Sequence, residues 1–233
     1  MNFINRRLVT GWLTWCLAAV CGMGAEALAQ EAGQLARVSG RATVTSADNA
    51  TRDAKANEAV NTGDIITTPA GAEVLVRFKD NSTMIVRSDS KVKISQFRFD
   101  KKSTDTVNTS LMSGTLRAVS GQIAKATPQN VKYDAGAATI GIRGTDIEVA
   151  IVPDGAKDRA GIYNYVHSGE TEMSLDTGES MVVGKELSGF TPAVLQPGES
   201  RLQLLRDRPA FLTSGGFDAL LQQLTAPRIP MIR

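Results

Sequence analysis

Between Thr139 and Val152 the chain reads Thr-Ile-Gly-Ile-Arg-Gly-Thr-Asp-Ile-Glu-Val-Ala-Ile-Val, its most strand-like stretch. Ile140 and Ile142 share one parity, whereas Ile147, Val149 and Ile151 share the other. A strand changes sides at every residue, so a straight one would put these two apolar sets on opposite faces. The register must therefore shift between them. Gly144 is suited to the shift, because without a Cβ it reaches the positive φ of a bulge or tight bend. Two core-facing half-strands joined at Gly144 are expected. Arg143 and Asp146 flank the corner, placed to pair with each other or with nearby strand ends. The step Arg143-Gly144-Thr145-Asp146 is thus expected to be a structural corner, with a ligand or partner site as the alternative.

The first 29 residues have the build of an export signal: Arg6 and Arg7, an uncharged run of 18 residues from Leu8 to Ala25, and a small-x-small triplet, Ala27-Leu28-Ala29. Cleavage after Ala29 and a periplasmic location are expected. An uncleaved membrane anchor is the alternative, since 18 residues come close to a span. Twin-arginine export through Arg6-Arg7 and lipid attachment at Cys21 are minor readings. Cleavage removes both cysteines, Cys16 and Cys21, and leaves 204 of the 233 residues. The remainder has no thiol for a disulfide, a thiolate metal site or a cysteine nucleophile, so it must rest on its core. Without Arg6, Arg7 and Glu26, the totals of 26 basic and 24 acidic side chains fall to 24 and 23, with no basic run longer than Lys101-Lys102. Such a balance argues against a nucleic-acid partner, and a membrane contact is expected only if the signal stays uncleaved.

From Gln34 onward short alternating runs are separated by Gly, Asp, Asn and Ser signals. Glu73 to Lys79 puts Val74, Val76 and Phe78 on one face, and Asp80-Asn81-Ser82 reads as the turn of a hairpin returning through Thr83 to Arg87. Ser46 to Asn57 reads as a loop or hairpin end, Asp100 to Ser110 as a polar, mobile tip, Ala156 to Ala160 as a charged loop and Gly184 to Pro192 as a loop. Separate strands are expected at Ile162 to Val166, Glu170 to Leu175, Glu179 to Val183 and Leu202 to Leu205. A Ser-Gly step flanked by strand residues recurs at Ser39-Gly40, Ser113-Gly114 and Ser168-Gly169, a weak internal repeat. The class expected is all-β, an irregular β-solenoid or β-sandwich-like domain of short strands over 30–205. A C-terminal extension, 206–233, adds a short amphipathic helix. In that helix, capped by Ser214, Phe217, Leu220, Leu221 and Leu224 fall at i, i+3, i+4 and i+7. The face they form either covers an open end of the β domain or binds a partner.

Catalytic chemistry finds little footing. His167 is the single histidine and reads as a surface strand residue; no Gly-x-Ser-x-Gly elbow accompanies it, and one His without Cys is a poor zinc set. The glycines of Gly178 to Lys185 are wrongly spaced for a phosphate loop. Calcium at Asp154, Asp158 or Asp176 has no ligand spacing in support. No catalytic residue, cofactor or metal ligand is assigned. Two other readings stay open: a carbohydrate-active envelope enzyme using a carboxylate pair, weakened by the nine aromatics left after cleavage, and a structural assembly or adhesion adaptor.

The succession Thr62-Gly-Asp-Ile-Ile-Thr-Thr, Val74-Leu-Val-Arg-Phe-Lys-Asp, Ser88-Asp-Ser-Lys-Val-Lys-Ile, Leu111-Met-Ser-Gly-Thr-Leu and Ile142-Arg-Gly-Thr-Asp-Ile-Glu-Val resembles the FecR domain family of bacterial envelope proteins. The resemblance covers about Leu35 to Val152. Asn81 stands where the family usually has Gly after the hairpin Asp, and Ile147 where it usually has an aromatic. Asn also tolerates the left-handed turn, and Ile keeps the position apolar. The resemblance implies a periplasmic β-rich domain for sensing or protein contacts, with no catalytic residues. Regulators of the family relay a signal from an outer-membrane receptor to a sigma factor through a cytoplasmic segment and a membrane span. With a handful of residues before its hydrophobic run, this chain is expected to be a freestanding envelope module that contacts another envelope protein or ligand.

Overall fold

The computed structural model describes residues 30–212 and 215–225. The expected export segment with its cleavage point at Ala29, the helix cap Ser214 and the tail beyond 225 lie outside the described residues. In chain order the strands are β1 (Glu31–Ser39), β2 (Thr43–Thr45), β3 (Thr51–Asp53), β4 (Ala59–Asn61) and β5 (Ile65–Thr68). Then come β6 (Glu73–Phe78), β7 (Thr83–Val86), β8 (Ser90–Arg98) and β9 (Thr106–Val119), followed by a short helix α1 (Gln122–Ala126). The second half holds β10 (Val131–Ala135), β11 (Ala138–Val152), β12 (Gly161–Leu175), β13 (Ser180–Val183), β14 (Ser188–Pro192) and β15 (Gln203–Leu205), and ends in helix α2 (Asp218–Thr225).

Three long strands, β9, β11 and β12, organise the rest, and each turns at a glycine of positive φ: Gly114 (80°), Gly144 (62°) and Gly169 (80°). Their halves on either side of the turn join different neighbours. Before Gly114 and Gly144 and after Gly169, they lie in a layer ordered β3-β2-β5-β8-β9-β10-β11-β12-β13. The other halves lie in a second layer ordered β4-β1-β6-β7-β9-β11-β12-β14-β15. The whole is one hydrogen-bonded sheet of fifteen strands folded over on itself at the glycines. β9 and β10 run parallel and the other pairs antiparallel.

Side chains of both layers fill a single core, mainly aliphatic: Val92, Ile94, Val107, Ile140 and Ile142 from the first, Val74, Val76, Met84, Leu116, Ile147 and Val149 from the second. Phe78 of the second layer stacks on Phe97 of the first with centroids 5.4 Å apart. The parity flip around Gly144 is therefore what lets β11 feed the same core from both halves. Pairing with β12 shifts register between Arg143 and Asp146, where the extra residue is accommodated. In the β6–β7 hairpin Asn81 has φ 65°, and the buried Asp80 carboxylate accepts from Ser82 N–H at 3.0 Å and Ser82 O–H at 2.6 Å. Its backbone carbonyl also accepts from Gln122 N–H at 2.8 Å, which seats α1, a helix the sequence pattern does not announce.

Three expectations need correction. Ile162 to Leu175 is one strand turning at Gly169, not two strands separated by a turn, because β11 alongside turns at the same level. Gly184 to Pro192 is not all loop: β14 occupies its second half, buried between β12 and β15. The segment from Asp100 to Ser110 is not an unburied polar tip. Asp105 is buried and its carboxylate accepts from the N–H groups of Asp100 at 2.9 Å and Lys102 at 3.1 Å, while Asn130 donates to the carbonyls of Ser103 and Asp105.

The two adjacent corners are expected to respond differently to a methyl group. A Cβ on Gly144 would meet open space, so Gly144→Ala costs only left-handed strain, about 1–2 kcal/mol. On Gly169 it would lie 2.6 Å from the Gly144 carbonyl oxygen and 2.8 Å from Thr145 Cγ2, so Gly169→Ala costs the same strain and a further 1–3 kcal/mol, roughly, of overpacking. Urea denaturation of the two variants checks the order; equal losses would mean that the corners do not press on one another.

Candidate functional site

The second layer has an outer face as well as a core face. Residues of the parity opposite to Val74, Met84, Leu116 and Ile147 point there: Glu73, Leu75, Ile85, Arg87, Arg117, Glu148, Tyr165 and His167. On an open sheet this face would meet water. Here the chain's last segment covers it. Leu212 packs with Ala150, Val152, Tyr163, Tyr165 and Phe190 in one apolar patch, and Leu221 packs with Leu75 and Ile85 in another. Between the two patches lies a cluster of charges.

Three acids and two arginines form its centre. Arg87 grips Asp218 at the start of α2 with two parallel hydrogen bonds, Nη1 to Oδ2 at 2.9 Å and Nη2 to Oδ1 at 2.8 Å. Arg117 reaches the same carboxylate through Nη1 at 2.6 Å, and holds Asp146 bidentately through Nε at 2.9 Å and Nη2 at 2.7 Å. Glu148, with 0% of its surface exposed, accepts from Arg87 Nη2 at 2.9 Å on one oxygen. On the other it meets Arg208 Nη2 at 2.6 Å and His167 Nε2 at 3.1 Å. Glu73 completes the rim, 3.3 Å from Arg87 Nη1. The Arg208 guanidinium lies over the Tyr165 ring, 5.5 Å from its centroid, and Tyr165 meets His167 edge-on.

Burial and pairing act against each other on these groups, and pairing wins. Desolvation alone would raise the Glu148 carboxyl, yet the hydrogen bonds from His167, Arg208 and Arg87 hold it below its ordinary value. For Asp218 desolvation is again offset, by Arg87, Arg117 and the Gly215 N–H, and its pKa too is lowered. Burial works to lower Arg87 and Arg117, but their carboxylate partners raise both above the usual guanidinium range. Glu148, Asp218, Arg87 and Arg117 are thus ionised at neutral pH.

The residues singled out from sequence fall on and around this face. Arg143 and Asp146 do not pair with each other, because the bend turns them apart: Asp146 points to Arg117, and Arg143 is exposed, with Glu170 at 3.7 Å. Gly144 makes the turn, and Thr145 is buried beside Gly169. Leu221 is buried, Phe217 and Leu220 are partly buried against the same patch, and the Leu224 side chain lies outside the described residues. His167 is not a plain surface residue, since it is tied to Glu148. Glu148, Arg87 and Arg117 went unnoticed in sequence, where each stands in an alternating run as a charge on a solvated face would. Elsewhere, Asp154 and Asp176 line a cavity of about 450 Å³ with Ile151, Ile162, Leu175 and Leu195. Among the described residues no three His, Cys, Asp or Glu gather as a metal site.

Removing Glu148 leaves Arg87 and Arg208 facing a neutral group, whereas removing Asp218 leaves both sheet arginines their acids on the sheet. Glu148→Gln is therefore expected to cost about 3–5 kcal/mol and Asp218→Asn less than half of that, measured by denaturation. The pH dependence follows from the direction of the shifts. Both carboxyls have folded pKa values below their unfolded ones, so their contribution is complete above the usual carboxylate range and is lost as the pH falls through the lowered values. The thermal midpoint should hold from pH 7 to about 5 and drop below about 4, more steeply in the parent than in Asp218→Asn.

Residues 64–170 match the family model described as FecR protein. The match begins later than the sequence motifs suggest and runs beyond Val152 to the end of the Gly169 corner. A search of curated proteins finds no match to the chain. Two crystal structures of a candidate anti-sigma factor from Parabacteroides distasonis, at 2.50 and 1.65 Å resolution, resemble the fold with TM-scores of 0.47 and 0.45 at 11% and 10% identity. Each match covers 61% of this chain and 59% of the other. Arg87, Arg117, Asp146, Glu148 and His167 all fall within the span 64–170 that matches the FecR model.

Proposed function

We propose that the chain is an exported, periplasmic FecR-domain module with a signalling or regulatory role, which acts by contacting another protein of the cell envelope and catalyses no reaction. The observation that carries this reading is the FecR domain itself, whose outer face presents two buried arginines and an aliphatic patch to a covering segment rather than to a substrate cleft. Such an array suits protein recognition: planar guanidinium forks fix a carboxylate in position, and a leucine socket beside them supplies apolar contact. The signal-like segment over 1–29 supports export. None of the described helices is long and apolar enough to cross a membrane.

The cavity lined by Asp154 and Asp176 is the place where a carbohydrate-active alternative would act. Its walls are mostly aliphatic, without the aromatic platforms on which sugar rings commonly rest, so the binding module is the better reading.

Two measurements test the proposal. The protein recovered from the periplasm should begin at Gln30, as read by intact mass; a chain retaining residues 1–29 in the membrane fraction would replace export by anchoring. Photo-crosslinking in intact cells from the partly exposed Phe217 and Leu220 positions should trap a defined envelope protein. Reproducible turnover of an envelope polysaccharide, abolished by changing Asp154 and Asp176, would reverse the assignment.

A further inference from the structure

We propose that the outer face formed by β6, β7, β9 and β11 is a docking site for an acidic, leucine-bearing helical segment of another protein, and that residues 215–225 are its resident occupant. The idea rests on the reading of the chain as a protein-binding module and names the chemistry of the partner.

The resident segment shows what the site recognises. Asp218 stands at the first position of α2 with its carboxylate shared between Arg87 and Arg117. One helical turn on, Leu221 sits between Leu75 and Ile85, with Phe217 and Leu220 against the edges of the same patch. The pattern is an aromatic, an aspartate and, three residues later, a leucine, the spacing that puts both anchors on one side of a helix.

Three features separate this cover from a fixed part of the core. First, the face is charge-complete without it: Arg117 keeps Asp146, Arg87 keeps Glu148 and Glu73, and Glu148 keeps Arg87 and His167. Leaving the face thus orphans no buried charge on the sheet. Second, apart from the Asp207 carbonyl, which accepts from Ser188 Oγ at 3.1 Å, the described cover is held by its side chains. Among the described residues, none beyond Leu205 joins a strand ladder, and the segment can leave without opening the sheet. Third, Glu73, Arg87, Arg117, Asp146, Glu148 and His167 all lie inside the FecR domain at 64–170, whereas Arg208, Asp218 and Leu221 lie outside it. The receptor belongs to the domain, and the occupant to the extension.

A partner segment with the same carboxylate and leucine would compete directly with the resident one. The probe is a fluorescent peptide with the chain's own sequence from Gly215 to Thr225, added to the full mature protein and followed by anisotropy. In the parent the resident segment holds the site, so binding should be weak. Asp218→Lys turns the resident contact with Arg87 and Arg117 into repulsion, and the peptide should bind that variant about tenfold more tightly or better. A peptide in which the aspartate is replaced by lysine should lose that gain. Leu221→Ala, a milder loosening, should raise peptide affinity in the same direction.

An Asp218→Lys protein that melts cooperatively yet binds no peptide would overturn the proposal. So would one that no longer folds, because the face is held to stand without its cover. Sedimentation showing a parent dimer that trades these segments would make the occupant a second copy and overturn the assignment to another protein. Crosslinking in cells separates the two levels of the argument: a trapped envelope protein with a negative peptide result removes the docking site alone, and peptide binding with no trapped protein removes the functional reading alone.

Discussion

The extra residue in β11 between Arg143 and Asp146 is the constraint on which both faces of the second layer depend. Before it, even-numbered residues such as Ile140 and Ile142 face the core; after it, odd-numbered ones such as Ile147 and Val149 do. Without the shift, Glu148 would enter the aliphatic core and Ile147 and Val149 would face outward. An isolated carboxylate in that core costs several kcal/mol even after relaxation, so a straight β11 is excluded by charge as well as by apolar content. The same shift delivers Asp146 and Glu148 to the outer face, where they meet Arg117 of the adjacent β9 and Arg87 just past the end of β7. One backbone irregularity thus sets the core and the charged face together. Gly169 repeats it in β12 at the same level, and its close approach to the Gly144 carbonyl shows why the two turns go together.

The corner was legible in sequence because parity is a local property, as were the Asp80-Asn81-Ser82 hairpin and the two faces of β6. The charged cluster was not, because its members are far apart in the chain: Arg87 and Asp218 are separated by 131 residues, and Arg117 and Asp146 by 29. A charge in an alternating run reads as a solvated face unless something is known to cover it. The amphipathic pattern of α2 did raise the possibility of a cover, but not where it lands. β14 was lost for a related reason. Gly189 and Pro192 read as loop signals, and its strand identity comes from β12 and β15 on either side. The resemblance to the FecR domain was carried by the order of short motifs, and the match over 64–170 contains four of the five in full and most of the first, which begins two residues earlier at Thr62.

The chemistry of the covered face also bears on how tightly its cover is held. Ion pairs taken out of water return little net energy, because desolvation consumes most of the Coulombic gain. Their value lies in position: a guanidinium fork accepts a carboxylate in one orientation and rejects an uncharged or cationic side chain. Leu221 on Leu75 and Ile85 adds one buried leucine, worth about 1.5–3 kcal/mol. Against that stands the conformational entropy of ordering the segment, about 1–2 kcal/mol for each backbone residue fixed. The cover is therefore chosen by charge, while its apolar contacts at Leu212 and Leu221 oppose the entropy of ordering it.

That balance differs from the one inside the sheet. Glu148 has no exposed surface and three hydrogen-bonding neighbours, two of which, Arg87 and His167, lie within residues 64–170. Two of its partners are thus in place before Arg208 arrives. Arg87 in turn is anchored by Glu148 and Glu73, so its fork is already oriented when a carboxylate approaches. Orientation in advance lowers the entropy lost on binding and leaves the incoming acid to supply the last partner. A face arranged in this way favours one kind of occupant without depending on any single one for its own stability.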